Sequence, residues 1–89
     1  MKRYEWDLVK AAGNMIKHGI SFEAVNGFDW ERASVKEDRR RDYGESRFIA
    51  VGLIEGRLHV LVFAHRGDRI RVIGLRKANE REMLRYERS

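Results

Sequence analysis

Residues 47–76 read RFIAVGLI-EG-RLHVLVFAHR-GD-RIRVIGLR, and the two glycine-bearing dipeptides in this stretch decide the fold. Each separates runs rich in β-branched and aromatic residues by two positions, the spacing of a tight hairpin. Three antiparallel strands follow, Arg47–Ile54, Arg57–Arg66 and Arg69–Arg76. Glu55-Gly56 and Gly67-Asp68 join them, and glycine in first place at the second turn points to a type II′ geometry.

Side chains alternate between the faces of a strand, so the turns dictate the pairs. Leu53 is expected opposite Leu58, Val51 opposite Val60 and Ile49 opposite Val62. On the third strand Ile73 is expected opposite Val62 and Leu75 opposite Val60. One face is then continuously aliphatic and needs a cover, which two N-terminal helices supply. The next row on that face is Arg47, Ala64 and Arg71. Two cations on neighbouring strands repel, and an anion between them relieves that; the alternative is that each stem covers the core edge and reaches an acid such as Glu45 or Asp68. The opposite face, with Phe48, Gly52, His59, Phe63, His65, Gly74 and Arg76, is expected to lie partly under a C-terminal helix and to leave a groove suited to a nucleotide.

Upstream, a helix is expected from Asp7 to His18. Asp7 is the N-cap, Trp6 packs back on the first turn, and Gly19 closes it. Leu8, Ala11, Ala12, Met15 and Ile16 make an apolar stripe, and Lys10, Asn14 and Lys17 a polar one. A second short helix begins at Ser21 and carries Phe22, Val25 and Phe28 inward. A short edge strand at Ala33–Lys36 leads into a charged, mobile loop. Downstream, Asn79 and Glu82 form a capping box that opens the last helix.

The 89 residues make one domain, 1–89, without linker or repeat, burying roughly 60–65% of its unfolded surface. There is no cysteine, which excludes disulfides and thiolate metal sites. No apolar run reaches the roughly 18–20 residues of a membrane span, and the start turns polar where a signal peptide needs apolar residues. A cytoplasmic protein without membrane contact is expected. Lys plus Arg number 19 against 14 Asp plus Glu, and residues 57–89 hold the whole surplus. Arginine predominates, and its planar fork grips phosphate at two points. An RNA or DNA, or an acidic protein, is the implied partner.

Chemistry can be narrowed by exclusion. His59 and His65 share a face but lie roughly 20 Å apart, too far for one metal ion. No HExxH, EF-hand, Walker, GxGxxG or nucleophile-elbow pattern occurs. Neither metal nor cofactor is expected. RNA needs none of these parts, because its 2′-hydroxyl is an internal nucleophile that a protein needs only to position while cations stabilise the phosphorane. Glu45, His59, His65 and Tyr86 are the candidates for moving protons.

Trp6-Asp7, Lys10, Asn14, Lys17-His18-Gly19, Phe22, Glu45-x-Arg47-Phe48, Gly52, Arg71-Val72-Ile73, Arg76-Lys77-Ala78, Glu82 and Tyr86 together resemble the BrnT toxins, the ribonuclease halves of BrnT/BrnA type II toxin–antitoxin pairs. The resemblance runs nearly end to end. It implies an α+β, RelE-like fold, with two helices on a mainly antiparallel sheet of three to four strands and then a last helix (α-α-β-β-β-β-α). It also implies metal-independent RNA cleavage and growth arrest through blocked translation. The implied partner is a BrnA-like antitoxin with a ribbon-helix-helix domain, so that operator DNA is reached only through the antitoxin, in a dimer or hetero-oligomer. The chain departs from the family at Gly74-Leu75, where a small polar residue is usual before Arg76. His18 is read as a helix-end residue meeting free carbonyls.

The expected site is Arg47, Arg71 and Arg76 on phosphate, with Glu45, His65 or Tyr86 moving protons and Arg66, Arg69, Lys77 and Arg81 holding RNA. The rival is a non-catalytic nucleic-acid-binding or partner-binding component of a repressor complex, although no helix-turn-helix is visible.

Overall fold

The computed structural model describes residues 2–88. The chain runs β1 (Arg3–Glu5), α1 (Leu8–His18), a 3₁₀ helix (Phe22–Gly27), β2 (Ser34–Asp38), β3 (Arg47–Ile54), β4 (Arg57–Arg66), β5 (Arg69–Lys77) and α2 (Glu80–Arg88). The class is α+β, as expected. The sheet, however, is mixed and five-stranded, in the order β1-β5-β4-β3-β2, where three or four strands were expected. The extra strand is β1, parallel to β5 with Tyr4 opposite Ile70. Three residues are too few for an alternation pattern, and the partner lies more than sixty positions away. The second expected helix is a 3₁₀ turn with Ser21 as its N-cap. The edge strand sits slightly later than expected, at Ser34–Asp38. No helix among the described residues is long and apolar enough to cross a membrane.

Both hairpins close at the expected dipeptides. Glu55 and Gly56 take φ of 49° and 77°, and Gly67 takes 60°. The β3–β4 register is the expected one, with Leu53 opposite Leu58, Val51 opposite Val60 and Ile49 opposite Val62. On β5 the expectation holds only near the turn, where Ala64 faces Arg71 and Phe63 faces Val72. A β-bulge then adds a residue, so that Val62 faces Gly74, Leu61 faces Leu75 and Val60 faces Arg76. The expected pairs of Val62 with Ile73 and of Val60 with Leu75 do not form. Because the side-chain period is two, the extra residue moves Leu75 to one face and Arg76 to the other.

The covers are also exchanged relative to expectation. α1 and the 3₁₀ helix lie on the aromatic face, where Phe22, Val25 and Phe28 pack against Ala50, Leu61, Phe63, Val72 and Leu75. This is the larger core, and burial at roughly 25 cal/mol per Å² of apolar area makes it the main stabilising term. Phe28 rests directly on Gly52, where a Cβ would stand 2.6 Å from the ring, so only glycine fits there. Trp30 closes the edge of this core with its Nε1–H donating to the Tyr4 hydroxyl at 2.7 Å. The aliphatic face receives α2 instead, through Met83 and Tyr86 against a smaller cluster of Leu58, Val60 and Ala78.

Helix α1 has the expected caps. The Asp7 carboxylate accepts from the Lys10 N–H at 2.9 Å, and Gly19, at φ 70°, donates its N–H to the Met15 carbonyl at 2.8 Å. Its orientation overturns the expectation. Of the apolar stripe, Leu8 and Ile16 are 78 and 87% exposed, Ala12 and Met15 are exposed as well, and Ala11 is half-buried against the aromatic core, while Asn14 of the expected polar stripe is buried. The reason is a backbone demand. Among the described residues no strand pairs the outer edge of β5 beyond Glu5, and the Asn14 amide takes that place. Its Nδ2 donates to the Leu75 carbonyl at 2.8 Å and to the Ile20 carbonyl at 3.1 Å, and its Oδ1 accepts from the Leu75 N–H at 3.2 Å. A buried peptide group left unpaired costs about 1–3 kcal/mol, and satisfying it turns the helix.

Asn14→Ala orphans both polar groups of Leu75. It is expected to lower the unfolding free energy by about 2–4 kcal/mol, read as a shifted urea midpoint with an unchanged slope.

Candidate active site

Above the aliphatic face lies a cleft of about 730 Å³. Its floor is formed by Ile49, Val51, Val60, Val62 and Gly74. One wall is β2 and the residues after it, with Lys36, Asp38 and Arg40; the other is the end of β5 with α2, with Arg76, Glu82, Arg85 and Tyr86. Asn14 and His18 of α1 close one end. Each wall follows from register. Lys36 stands opposite Ile49 and Asp38 opposite Arg47, which puts both on the cleft face of β2. Arg76 reaches that face because of the bulge.

The walls are charged and the floor is not. Arg76 forms a two-point pair with Glu82, both N–O distances being 2.8 Å. The same carboxylate accepts from the Asn79 N–H at 2.9 Å, and Asn79 Oδ1 accepts in return from the Glu82 N–H at 2.8 Å, completing the capping box. The Arg76 fork, helped by the Asn79 N–H and the positive charge of Arg85, holds the Glu82 carboxyl down to about 2 against partial burial. Glu82 raises Arg76 in turn, whereas Arg40 opposes this from across the cleft. On the far wall Arg40 grips Asp38 through Nε and a terminal nitrogen, both at 2.8 Å, and the Tyr43 hydroxyl donates to the same carboxylate at 3.0 Å. These bonds hold Asp38, its side chain almost fully enclosed, well below the usual carboxylate range. Arg39 pairs with Glu37 at 3.1 Å. Among the described residues no carboxylate lies within ion-pairing distance of Lys36 or Arg85, so the cleft carries a net positive charge.

The cleft gathers Arg76 and Tyr86 from the expected site and leaves the rest elsewhere. The Tyr86 hydroxyl donates to the Arg32 carbonyl at 2.7 Å, tying α2 to the turn before β2. Arg47 lies beyond the cleft with its guanidinium 4.2 Å from the centre of the Tyr43 ring; its Nε is buried without a hydrogen bond, a Glu45 oxygen standing 3.9 Å away. Glu45 accepts from Arg66 Nε at 3.3 Å and pairs with a terminal nitrogen of the same guanidinium at 3.1 Å. Arg71 donates to Glu5 of β1 at 2.8 Å. His65 is exposed on the aromatic face against Phe48 and Phe63, at 5.3 and 5.6 Å. His59 is buried there and donates from Nδ1 to the Arg57 carbonyl at 2.7 Å. The expected RNA-holding cations split into two groups. Arg66 and Arg69 flank the β4–β5 turn, while Lys77 stands opposite His59 and Arg81 follows at the start of α2. Seven residues of β4 separate the ends, roughly 23 Å.

Reading along the chain missed Lys36, Arg40 and Arg85 and placed His18 in a structural role. Lys36 had a usable signal, since it alternates with Ser34 and Asp38 on the strand before the loop. Arg85 follows Glu82 by one helical turn and shares its side of α2. Nothing local marks Arg40 or His18; their place depends on how β2 and α1 dock.

The low Glu82 carboxyl has a consequence in acid. Its folded value of about 2 lies below the ordinary 4.5, so its stabilisation is complete above about pH 4.5 and is lost as the pH falls toward 2. Over that window the native protein should lose more stability than Glu82→Gln, measured as urea midpoints and as helix content by circular dichroism.

Comparison with known proteins identifies the family. No curated protein matches the sequence. Residues 6–82 match the model of one family, described as "Ribonuclease toxin, BrnT, of type II toxin-antitoxin system". That span covers both walls through Glu82, the His18 end and the apolar floor. The chain belongs to the BrnT family of ribonuclease toxins, for which RNA is the substrate and an antitoxin the partner.

Proposed function

We propose that the protein is a metal-independent endoribonuclease whose reaction centre is the cleft beneath α2. The observation that carries this reading is the convergence of Arg76, Arg40, Lys36 and Arg85 on one apolar-floored space, with His18 at its end. In this scheme a sugar-phosphate unit lies across the floor. His18 accepts the 2′-hydroxyl proton, the 2′-oxygen attacks phosphorus, and the P–O5′ bond breaks. The products are a 2′,3′-cyclic phosphate and a 5′-hydroxyl, whose proton comes from water or from the imidazolium. Arg76 and Lys36 stabilise the charge on the phosphorane oxygens, where oriented cations beside a low-dielectric floor act most strongly. Arg76 keeps the role first expected of it. Tyr86 braces α2, while Arg47 with Glu45 and Arg71 with Glu5 stiffen the rim. His65, Arg66, Arg69, Lys77 and Arg81 lie outside the reaction centre, the cations extending the track for flanking phosphates.

The cellular reading follows the family: cleavage of RNA blocks translation, and a BrnA-like antitoxin with a ribbon-helix-helix domain neutralises the toxin and carries the pair to operator DNA. The absence of cysteine and of a long apolar helix among the described residues accords with a cytoplasmic site of action.

Incubation of purified protein with a defined RNA in EDTA tests the enzyme. Cleavage is expected with the native chain and is expected to fall at least a hundredfold in Arg76→Ala and in His18→Ala. Arg76→Lys should recover little, because it keeps charge but loses the fork. Lys36→Ala and Arg85→Ala should each lower the salt dependence of RNA binding by about 0.7 in log–log slope. Intact RNA with salt-sensitive binding would instead support the non-catalytic reading.

A further inference from the structure

Among the described residues nothing covers the outward face of α1. Leu8, Val9, Met15 and Ile16 are 78, 80, 46 and 87% exposed. With Ala12 they form a continuous apolar surface three turns long, on the side of the helix opposite Asn14. Soluble monomers seldom leave such a patch open unless something docks on it. Gly13 sits at the lysine-bordered edge of this face, one helical turn from both Val9 and Ile16. Its φ is not positive, and a Cβ there would meet nothing within 4 Å. Glycine weakens a helix interior, and neither backbone conformation nor packing inside this molecule requires it. A notch of this kind lets a second helix come close. The charges bordering the face are Lys10 and Lys17, and no acid occurs between Leu8 and His18.

We infer that this face is the docking surface for an amphipathic helix of the antitoxin, one with an apolar stripe bordered by aspartate or glutamate. The inference rests on the toxin–antitoxin reading of the family and adds where, and by what chemistry, the partner is held. A second copy of this chain fits less well: antiparallel α1 helices would set lysine against lysine, and no acid on α1 answers either. The face lies on the far side of α1 from the cleft, so the docked helix anchors the antitoxin while leaving the reaction centre to some other segment. Loss of this anchor therefore relieves inhibition without impairing cleavage.

The test uses the full chain and, as probe, the product of the reading frame adjacent to its own. Native protein should bind that product and lose RNA cleavage on binding. Ile16→Glu and Val9→Glu should bind about a hundredfold more weakly, yet cleave RNA at the native rate and resist inhibition. Lys10→Glu with Lys17→Glu should weaken binding and flatten its salt dependence. Gly13→Gln separates docking from folding, since it should raise the melting midpoint by about 3 °C while weakening binding at least tenfold. Undiminished binding by all of these variants would overturn the surface while leaving the toxin–antitoxin reading intact. Failure of the native chain to bind the adjacent product would overturn both. A native homodimer abolished by Ile16→Glu, or adsorption to phosphatidylglycerol vesicles abolished by it, would overturn the assignment in favour of self-association or a membrane surface.

Discussion

The Asn14 amide against the backbone of Leu75 is the contact on which the arrangement of this molecule turns. β1 ends at Glu5, and the outer edge of β5 would otherwise reach a buried stretch without a partner. One side chain supplies both a donor and an acceptor at that point, as a neighbouring strand would. The geometry of a planar amide leaves α1 little rotational freedom, because rotating the helix breaks both bonds at once. Two consequences follow from one constraint. His18, four residues further along the same side, is delivered to the end of the cleft, and the apolar side of the helix is delivered to solvent.

The bulge between β4 and β5 is the second determinant. Without it Leu75 would point into the cleft and Arg76 into the aromatic core, where a guanidinium has no acid to meet. With it, the core gains a fully buried leucine and the cleft gains the Arg76 guanidinium. Bulges recur beside functional sites because one inserted residue re-aims every side chain after it. Here the site of insertion lies close to where α1 takes over the pairing of the β5 edge, at Leu75, so the two devices act within a few residues of each other.

Paired charges shape the cleft as much as its cations do. Glu82 and Asp38 are each clasped by an arginine, and these clasps pin the two walls at α2 and at the segment after β2. Helix α2 buries no residue fully and is held by Met83, Tyr86 and the Arg76–Glu82 pair. The apolar floor raises the strength of every ionic contact made above it.

Local residues determined the three long strands, both hairpin turns, the β3–β4 register and the helix caps, since each depends on neighbours a few positions apart. The resemblance in scattered residues such as Lys17-His18-Gly19 and Arg76-Lys77-Ala78 led to the family. Among the residues that line the cleft, Arg76 and Tyr86 were expected from the sequence, whereas Lys36, Arg40 and Arg85 were not. Tertiary structure alone decided that β1 joins the sheet, that the covers of its faces are exchanged, and that Asn14 is buried while most of the apolar stripe of α1 is not. Apolar periodicity says which side of a helix water disfavours, but a buried peptide group demands a partner at one position. In this chain that local demand outweighed the stripe.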